Sequence, residues 1–459
     1  MELMSKTFMK IKKAFIIVLP CIVLVALGAW MYSRWDIWFN NPPEPDYSSS
    51  SIPSRVLLTF GNEDGMTRNI SWQCDSTLHD SKVELLDETD STLTEIKATG
   101  EVFKSLGGQR AYYVAKLRNL LAGHQYKYRV NTNGKTSQWY HFQLQESKDL
   151  DASFIYVGDV QDSISGLSTT LLEQVFSKNP ETEFLVCGGD LIERPMDKYW
   201  EEAFSCFQNI GQTHPVLTIT GNHDYFKGVI QKLDHRFSLV HSYFLDSSIG
   251  DNQVFTVRYK DMQLFAIDSN REFFYLFTQK KWLEEQLQKS TAKWKILLTH
   301  HPLYSIRGNS NNIIQKWIFN PLVEKYGVDL VLQGHEHAYA RMTQHQDTGE
   351  PAIPIYTVSH FSPKNYLIHF DEKFDKFGSG SRYYQKIESK NDTLLITAYD
   401  ALSHALYDSL RIVKKGEEKI VEDCGKDIPE IIEFTPGKRK KEIQFAERIE
   451  AYKKRKHIK

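Results

Sequence analysis

Five short segments of the chain place metal-binding side-chain types directly after apolar runs. They read Val157-Gly158-Asp159-Val160-Gln161, Gly188-Gly189-Asp190-Leu191-Ile192-Glu193, Gly221-Asn222-His223-Asp224, Thr299-His300-His301-Pro302 and Gly334-His335-Glu336-His337. Together they supply carboxylate, amide and imidazole ligands, a mixture that suits Zn, Fe or Mn better than Ca or Mg. Two such cations that share one carboxylate can clamp the attacking and leaving oxygens of an in-line phosphoryl displacement. The pattern therefore predicts a dinuclear metal centre that acts on phosphate esters.

The residue types suggest a role for each ligand. Asp190 has two carboxylate oxygens, and we expect it to bridge the two metals. Asp159 is expected to bind the first metal, while Asn222 and His300 complete the second.

The last segment contributes a pair of histidines. His335 and His337 are two residues apart, so in an extended segment they project from one face. We expect one of them to bind each metal.

The elements that position these residues alternate between strands and helices. Apolar runs typical of strands buried on both faces precede the five segments, at residues 153–157, 183–187, 215–219, 294–298 and 328–332. Amphipathic stretches lie between several of them, at residues 167–178, 198–210, 279–289 and 313–326. This alternation predicts a layered α/β domain, in which function gathers at the carboxyl ends of the strands.

The five segments resemble the calcineurin-like metallophosphoesterase superfamily. Residues 334–341 and 279–304 resemble in particular its purple acid phosphatase branch, and residues 55–73 and 112–142 resemble the fibronectin type III-like domain that precedes the catalytic domain there. The resemblance covers about residues 52–412. It implies a layered β-sandwich core flanked by helices, a small all-β sandwich before it, and two divalent or trivalent ions of Fe, Zn or Mn.

Two positions depart from the family pattern. Purple acid phosphatases carry a tyrosine three residues after the bridging aspartate, and here that position is Glu193. The resemblance to the wider Gly-Asp-x-x-Asp-Arg pattern implies that Glu193 orients His223; the alternative is that its carboxylate binds a metal in place of the tyrosinate. The superfamily often has a histidine ligand where this chain has Gln161, whose amide oxygen is expected to bind the first metal more weakly or to hold a metal-bound water.

The expected activity is hydrolysis of a phosphoric ester, most simply a phosphomonoester as in acid phosphatases. A metal-bridging hydroxide is the expected nucleophile and His223 the general acid. Arg341 is expected to neutralise a phosphate oxygen or, alternatively, to form a surface salt bridge. Two other functions stay open: a phosphodiesterase or lipid-headgroup phosphohydrolase with the same centre, and a membrane-tethered binding protein whose metal site is inactive.

The N-terminal segment predicts a membrane anchor. Lys6, Lys10, Lys12 and Lys13 precede an uncharged apolar run over residues 14–32, which nearly spans a hydrocarbon core of about 30 Å. Lysines before the run favour a cytoplasmic N-terminus and an extracytoplasmic (periplasmic or cell-surface) catalytic domain. The alternative is a signal peptide cleaved near residue 28, which would give a secreted protein.

Composition divides the chain into five parts. They are the anchor (1–40), a Pro/Ser-rich linker (41–54), the fibronectin-like domain (55–147), the metallophosphoesterase domain (148–415) and a C-terminal extension (416–459). Residues 1–40 carry a net charge of +3 and residues 438–459 of +7, which leaves −12 for residues 41–437 because the whole chain is −2. An acidic catalytic body argues against nucleic acid as the main partner and leaves a phosphate-ester substrate and the membrane as the expected ones. The basic tail either touches anionic lipid or is a solvated, partly helical end.

Overall fold

The computed structural model describes residues 2–62, 64–145, 150–241, 247–308, 312–345 and 351–456, with side chains from Val18 onward. The chain forms two compact units, Met1–Pro43 with Phe226–Lys232, and Glu44–Tyr225 with Leu233–Lys459. The first unit contains helices α1 (Glu2–Ser33) and α2 (Trp35–Phe39). The second unit contains nearly all of the strands and the predicted site.

The predicted transmembrane helix is not supported. The apolar run does form a helix, α1, but among the described residues no helix is both long and apolar enough to cross a bilayer.

The second unit begins with an all-β domain of two packed sheets. One has the strand order β1-β2-β6-β5 and the other β4-β3-β7-β8, with β9 paired to β7. The strands are β1 (Ser54–Phe60), β2 (Arg68–Gln73), β3 (Ser81–Asp87), β4 (Thr92–Lys97), β5 (Thr99–Lys104), β6 (Gln109–Leu117), β7 (Gln125–Thr132), β8 (Lys135–Thr136) and β9 (Tyr140–Gln143). The Leu121 amide donates to the Tyr126 hydroxyl at 2.8 Å, the tyrosine corner found in such sandwiches.

The α/β domain follows without a break in the chain. Its first part contains β10 (Ala152–Val157), α3 (Leu167–Lys178), β11 (Phe184–Cys187), α4 (Asp197–Cys206), β12 (Val216–Thr218), β13 (Tyr225–Phe226), β14 (Lys232–Leu233), α5 (His235–Val240), β15 (Phe255–Tyr259), β16 (Met262–Ile267), α6 (Phe273–Lys289) and β17 (Trp294–Thr299). Its second part contains α7 (Ile313–Lys325), β18 (Leu330–Gln333), β19 (Tyr339–His345), β20 (Pro351–Val358), β21 (Lys376–Gly378), β22 (Tyr383–Lys390), β23 (Thr393–Asp400), β24 (Leu406–Lys415), β25 (Glu418–Asp423) and α8 (Lys440–Lys456).

Two seven-stranded sheets make the core of this domain. Their strand orders are β12-β11-β10-β22-β23-β24-β25 and β15-β16-β17-β18-β20-β19-β21. Apolar side chains from both sheets, such as Tyr156 and Ile396 from one and Leu264 and Ile296 from the other, form a single buried cluster between them. The outer faces are covered by helices, α3 and α4 on one sheet and α6, α7 and α8 on the other. The predicted β-sandwich core flanked by helices is therefore present.

Strand register brings the predicted ligands to one end of both sheets. Strands β10, β11 and β12 are parallel neighbours, with Val157 opposite Cys187 and Cys187 opposite Thr218. In the other sheet β17 and β18 are parallel, with Thr299 opposite Gln333. The loops after these five strands carry the five segments, and each strand begins and ends within two residues of its prediction.

The basic C-terminal tail is a docked helix. Helix α8 buries Phe445, Ile449 and Tyr452 in the cluster beneath the second sheet. The Tyr452 hydroxyl also donates to a Glu430 carboxylate oxygen at 2.7 Å. The apolar face of α8 is thus used for packing against the domain.

Candidate active site

The ligand-bearing loops contain unusual backbone conformations. Asp159, Asp190, His335 and His337 have φ values of 47°, 52°, 70° and 24°. Non-glycine residues rarely adopt positive φ, and those that do cluster at functional sites. These turns point the four side chains toward one another at the end of the sheets.

One glycine lets these loops approach closely. A Cβ atom at Gly334 would lie 2.6 Å from the Asp159 Oδ2 carboxylate oxygen. Only a residue without a side chain fits between the two segments.

Asp190, His300 and His335 form the centre of the site. Their ligand atoms all lie within 4.8 Å of one another. The Asp190 Oδ2 atom is 3.3 Å from His300 Nε2, and His300 Nε2 is also 3.3 Å from Asn222 Oδ1. His300 Nδ1 lies 2.8 Å from the Gly188 carbonyl oxygen, which accepts its proton and leaves Nε2 facing the cluster. A backbone partner of this kind is what fixes the tautomer of a metal-binding histidine.

Asp159 and His337 form a second pair of candidate ligands, and Gln161 is buried two residues after Asp159. Asp159 Oδ2 accepts a hydrogen bond from the His335 amide at 2.7 Å, and Asp159 Oδ1 is 3.4 Å from His337 Nε2. The Gln161 amide nitrogen donates to the Ile192 carbonyl at 2.9 Å, which fixes the direction of its amide oxygen.

Two buried oxygens of the predicted ligands accept no hydrogen bond from the described residues. They are Asp159 Oδ1 and Gln161 Oε1. A buried acceptor without a donor costs about 1–3 kcal/mol, so both atoms fit positions from which a cation is bound. The seven predicted ligands thus include two acceptor oxygens without a hydrogen-bond donor, on Asp159 and Gln161, and a carboxylate, Asp190, close to two imidazoles. Their nitrogen and oxygen ligand atoms suit transition metals.

The electrostatics of the centre agree with a site built for cations. Burial opposes ionisation of Asp190, but the neighbouring His300 outweighs burial and holds the pKa of Asp190 below its usual range. Burial also opposes the charged form of His300 and would lower its pKa. Attraction to Asp190 outweighs this effect and raises the pKa of His300 to about 10. The buried carboxylate therefore attracts positive charge strongly.

His223 lies at the rim of the cluster and its contacts differ from the expected ones. Its amide donates to Asp190 Oδ1 at 2.8 Å, and its Nε2 atom is 4.0 Å from Asp190 Oδ2. Its Nδ1 atom lies 2.7 Å from the main-chain carbonyl oxygen of Glu193, not from the Glu193 carboxylate. That carboxylate pairs with Lys364 instead. Glu193, which we expected to orient His223 through its carboxylate, contacts the histidine through its main-chain carbonyl instead, because its side chain extends toward Lys364.

Arg341 does not reach the site, so its predicted contact with phosphate is wrong. Its side chain is buried, with Nε 2.7 Å from Asp408 Oδ2 and Nη2 2.7 Å from Asp423 Oδ2. A third carboxylate, Asp375, lies 3.6 Å away. Arg341 ties β19 to β24 and β25 and is neither the predicted phosphate ligand nor the surface salt bridge of the alternative.

We expect Arg341→Met to destabilise the protein without changing turnover by the folded fraction. Removing one partner of a buried ion pair costs about 3–5 kcal/mol when it leaves an uncompensated charge, and among the cations that the structure describes the buried Asp408 then keeps only the longer contact with Lys376, at 3.7 Å. Chemical denaturation followed by circular dichroism measures the loss. Arg411→Met, which removes an exposed arginine on β24 that pairs with Glu422 on β25, is the control and should unfold at nearly the wild-type denaturant concentration. Equal unfolding midpoints for the two variants would contradict this role.

Sequence reasoning assigned no role to three residues near the site. Asp224 accepts hydrogen bonds from the amides of Gly221 at 2.7 Å and Asp190 at 3.2 Å, and its place in the Gly-Asn-His-Asp segment could have indicated a role. Tyr366 stacks on His337 with ring centroids 4.3 Å apart. Lys364 and Tyr366 follow β20 in a loop without a motif, and only the fold brings them here.

Comparison with known proteins agrees with the fold and the site. Residues 152–339 match the family described as calcineurin-like phosphoesterase, and residues 53–144 match the purple acid phosphatase N-terminal domain. Among the similar proteins, purple acid phosphatase 4 of Arabidopsis thaliana is 26% identical over 291 residues, 56% of this chain and 83% of the relative. The Fe(3+)-Zn(2+) purple acid phosphatase 12 of the same plant is 23% identical over 328 residues, 66% of each chain.

The fold, the ligand cluster and these matches identify residues 152–339 as a calcineurin-like metallophosphoesterase domain, the domain of a metal-dependent enzyme. More particularly, the catalytic domain follows a purple acid phosphatase N-terminal domain, and the relatives named above are purple acid phosphatases. Enzymes of that group use dinuclear centres that contain Fe, Zn or Mn.

Proposed function

We propose that this protein is a phosphomonoesterase with a dinuclear metal centre. The observation that carries the proposal is the cluster of Asp190, His300 and His335 with the vacant Asp159 oxygen beside it. The ligands would be Asp159, Gln161, Asp190, Asn222, His300, His335 and His337. Bound there, the two metals would supply Lewis acidity and lower the pKa of bound water.

The protein's own residues support the rest of the reaction. The Glu193 carbonyl accepts the proton on His223 Nδ1, so Nε2 is the atom that faces the cluster and exchanges a proton. We propose that protonated His223 delivers this proton to the leaving oxygen. The main-chain amides of Asp190 and Gly221 both donate to the Asp224 carboxylate, and these hydrogen bonds hold the loop that carries His223 in place.

The side chain of Gln161 favours an active centre over an inactive one. Its buried oxygen faces no donor among the described residues, as a metal ligand or an acceptor for a bound water requires. An amide is a weaker ligand than imidazole, so the first metal is expected to bind less tightly than in relatives with histidine.

A substrate panel tests the proposal. We expect the purified protein to hydrolyse p-nitrophenyl phosphate, to lose this activity on chelation, and to regain it with Fe, Zn or Mn. Bis(p-nitrophenyl) phosphate should be a poor substrate. Faster hydrolysis of the diester would assign the centre to a phosphodiesterase, and no metal-dependent hydrolysis of either ester would remove the enzymatic proposal.

We also propose that the catalytic domain acts outside the cytoplasm. The support is the N-terminal sequence, in which four lysines precede the apolar run. N-terminal sequencing of protein recovered from the medium and periplasm of the expressing cell checks this. We expect mature chains that begin after the apolar run, and full-length protein confined to the cytoplasm would contradict the proposal.

A further inference from the structure

An exposed arginine lies beside the metal ligands without an anionic partner. The Arg307 guanidinium is 4.8 Å from the centroid of the Tyr366 ring, and Tyr366 in turn stacks on His337. Within the part of the chain that the structure describes, no carboxylate pairs with Arg307. An unpaired cation one aromatic ring away from a ligand histidine is positioned to meet a substrate.

The loop that carries Arg307 is fixed to the metal-binding segment. The Ser305 hydroxyl and the Ile306 amide both donate to the Glu336 carboxylate at 2.6 Å. Glu336 stands between His335 and His337 in the sequence. The Arg307 amide also donates to the Ser305 hydroxyl at 3.1 Å. The backbone of Arg307 is therefore held relative to the metal ligands by hydrogen bonds to the Ser305 hydroxyl and, through Ile306, to the Glu336 carboxylate, and its stacking on Tyr366 limits the freedom of its side chain.

The charges around the site indicate what Arg307 binds. The two metal ions would bind the scissile phosphate and offset its charge at the centre without help from Arg307. The other nearby cation, Lys364, is neutralised by Glu193. Arg307 adds a positive charge that the scissile phosphate does not need. A guanidinium presents a planar fork of donors that matches a carboxylate or a phosphate.

We propose that Arg307 is a specificity-determining residue that binds a second anionic group of the substrate. The substrate class is then a phosphate ester with a carboxylate or a second phosphate close to the scissile phosphate. This inference rests on the proposed phosphatase function and adds the chemistry of the group that the phosphate is attached to.

Matched substrates test the inference in the metal-loaded full-length protein. The wild-type protein should have a higher kcat/KM for 3-carboxyphenyl phosphate than for phenyl phosphate, chiefly through a lower KM. Arg307→Gln should reduce that preference about ten- to a hundredfold, the size of a lost charge-assisted hydrogen bond. Its kcat for phenyl phosphate should stay within about threefold of wild type, a smaller factor than the loss of one charge-assisted hydrogen bond. Arg307→Lys keeps the charge without the fork and should restore part of the preference.

A binding measurement separates this inference from the proposed activity. Calorimetry with pyrophosphate and with phosphate needs no turnover, and we expect pyrophosphate to bind the wild-type protein more tightly, with that difference lost in Arg307→Gln. Arg411→Gln removes the same charge from the exposed face of β24 and should behave as wild type. Equal losses for both substrates, or equal affinities for phosphate and pyrophosphate, would overturn the inference. Failure of every ester to react, with the pyrophosphate preference retained, would instead overturn the proposed activity.

Discussion

Asp190→Asn is expected to abolish most of the hydrolysis and to lower the metal content of the protein. Among the described residues, Asp190 is the carboxylate that forms a ligand cluster with His300 and His335. An asparagine keeps one oxygen but loses the charge and the second ligand atom. We expect kcat to fall on the order of a thousandfold, because metal ions supply several kcal/mol of transition-state stabilisation and each 1.4 kcal/mol is a factor of ten.

Elemental analysis and steady-state kinetics on the same preparation measure both effects of Asp190→Asn. Asp197→Asn is a useful control because Asp197 is also a buried aspartate, but its partners are Arg55 and Arg110 of the all-β domain. That variant should lose stability and keep its metals. Wild-type turnover and metal content in Asp190→Asn would falsify the bridging role.

His223→Asn is expected to keep both metals and lose turnover of esters with poor leaving groups. General acid catalysis contributes about 10²–10⁴-fold, and this contribution matters least when the leaving group departs without a proton. We therefore expect a loss of that size for alkyl phosphates and a much smaller one for p-nitrophenyl phosphate. A plot of rate against leaving-group pKa should become steeper in the variant.

The matched variant is Glu193→Gln, which separates the side chain from the main chain. Because the carbonyl of Glu193 accepts the His223 proton, the substitution leaves that contact in place and removes only the pairing with Lys364. A partly exposed ion pair contributes about 0–1 kcal/mol, so turnover should change by about fivefold or less. A loss in Glu193→Gln as large as in His223→Asn would show that the carboxylate orients the histidine after all.

The meeting of the ligand segments at one edge of the sheets could be predicted because each segment follows a buried strand. Parallel strands bring such loops to one edge, and the structure places Asp159, Asp190, Asn222, His300 and His335 there. The helices between the strands could also be predicted, because their apolar residues recur at a helical period.

What the sequence could not predict depends on pairs of residues far apart in the chain. The role of Arg341 is decided by Asp408 and Asp423, more than sixty residues away on other strands. The partner of His223 is a carbonyl, and a main-chain atom has no sequence signature. The position of Arg307 depends on Tyr366, which lies in a loop without a motif.

The N-terminal segment shows a different limit. Its apolar run predicted a membrane span, but within the described residues the structure contains no helix that is both long and apolar enough to cross a membrane.

Metal titration of the chelated protein, followed by hydrolysis of p-nitrophenyl phosphate, tests the central claim most directly. If Asp190 is shared between two metals, activity should stay low through the first equivalent of metal and rise with the second. Elemental analysis of the active form should then find two metals per chain. Full activity with a single equivalent, or without metal, would contradict a dinuclear centre in this protein.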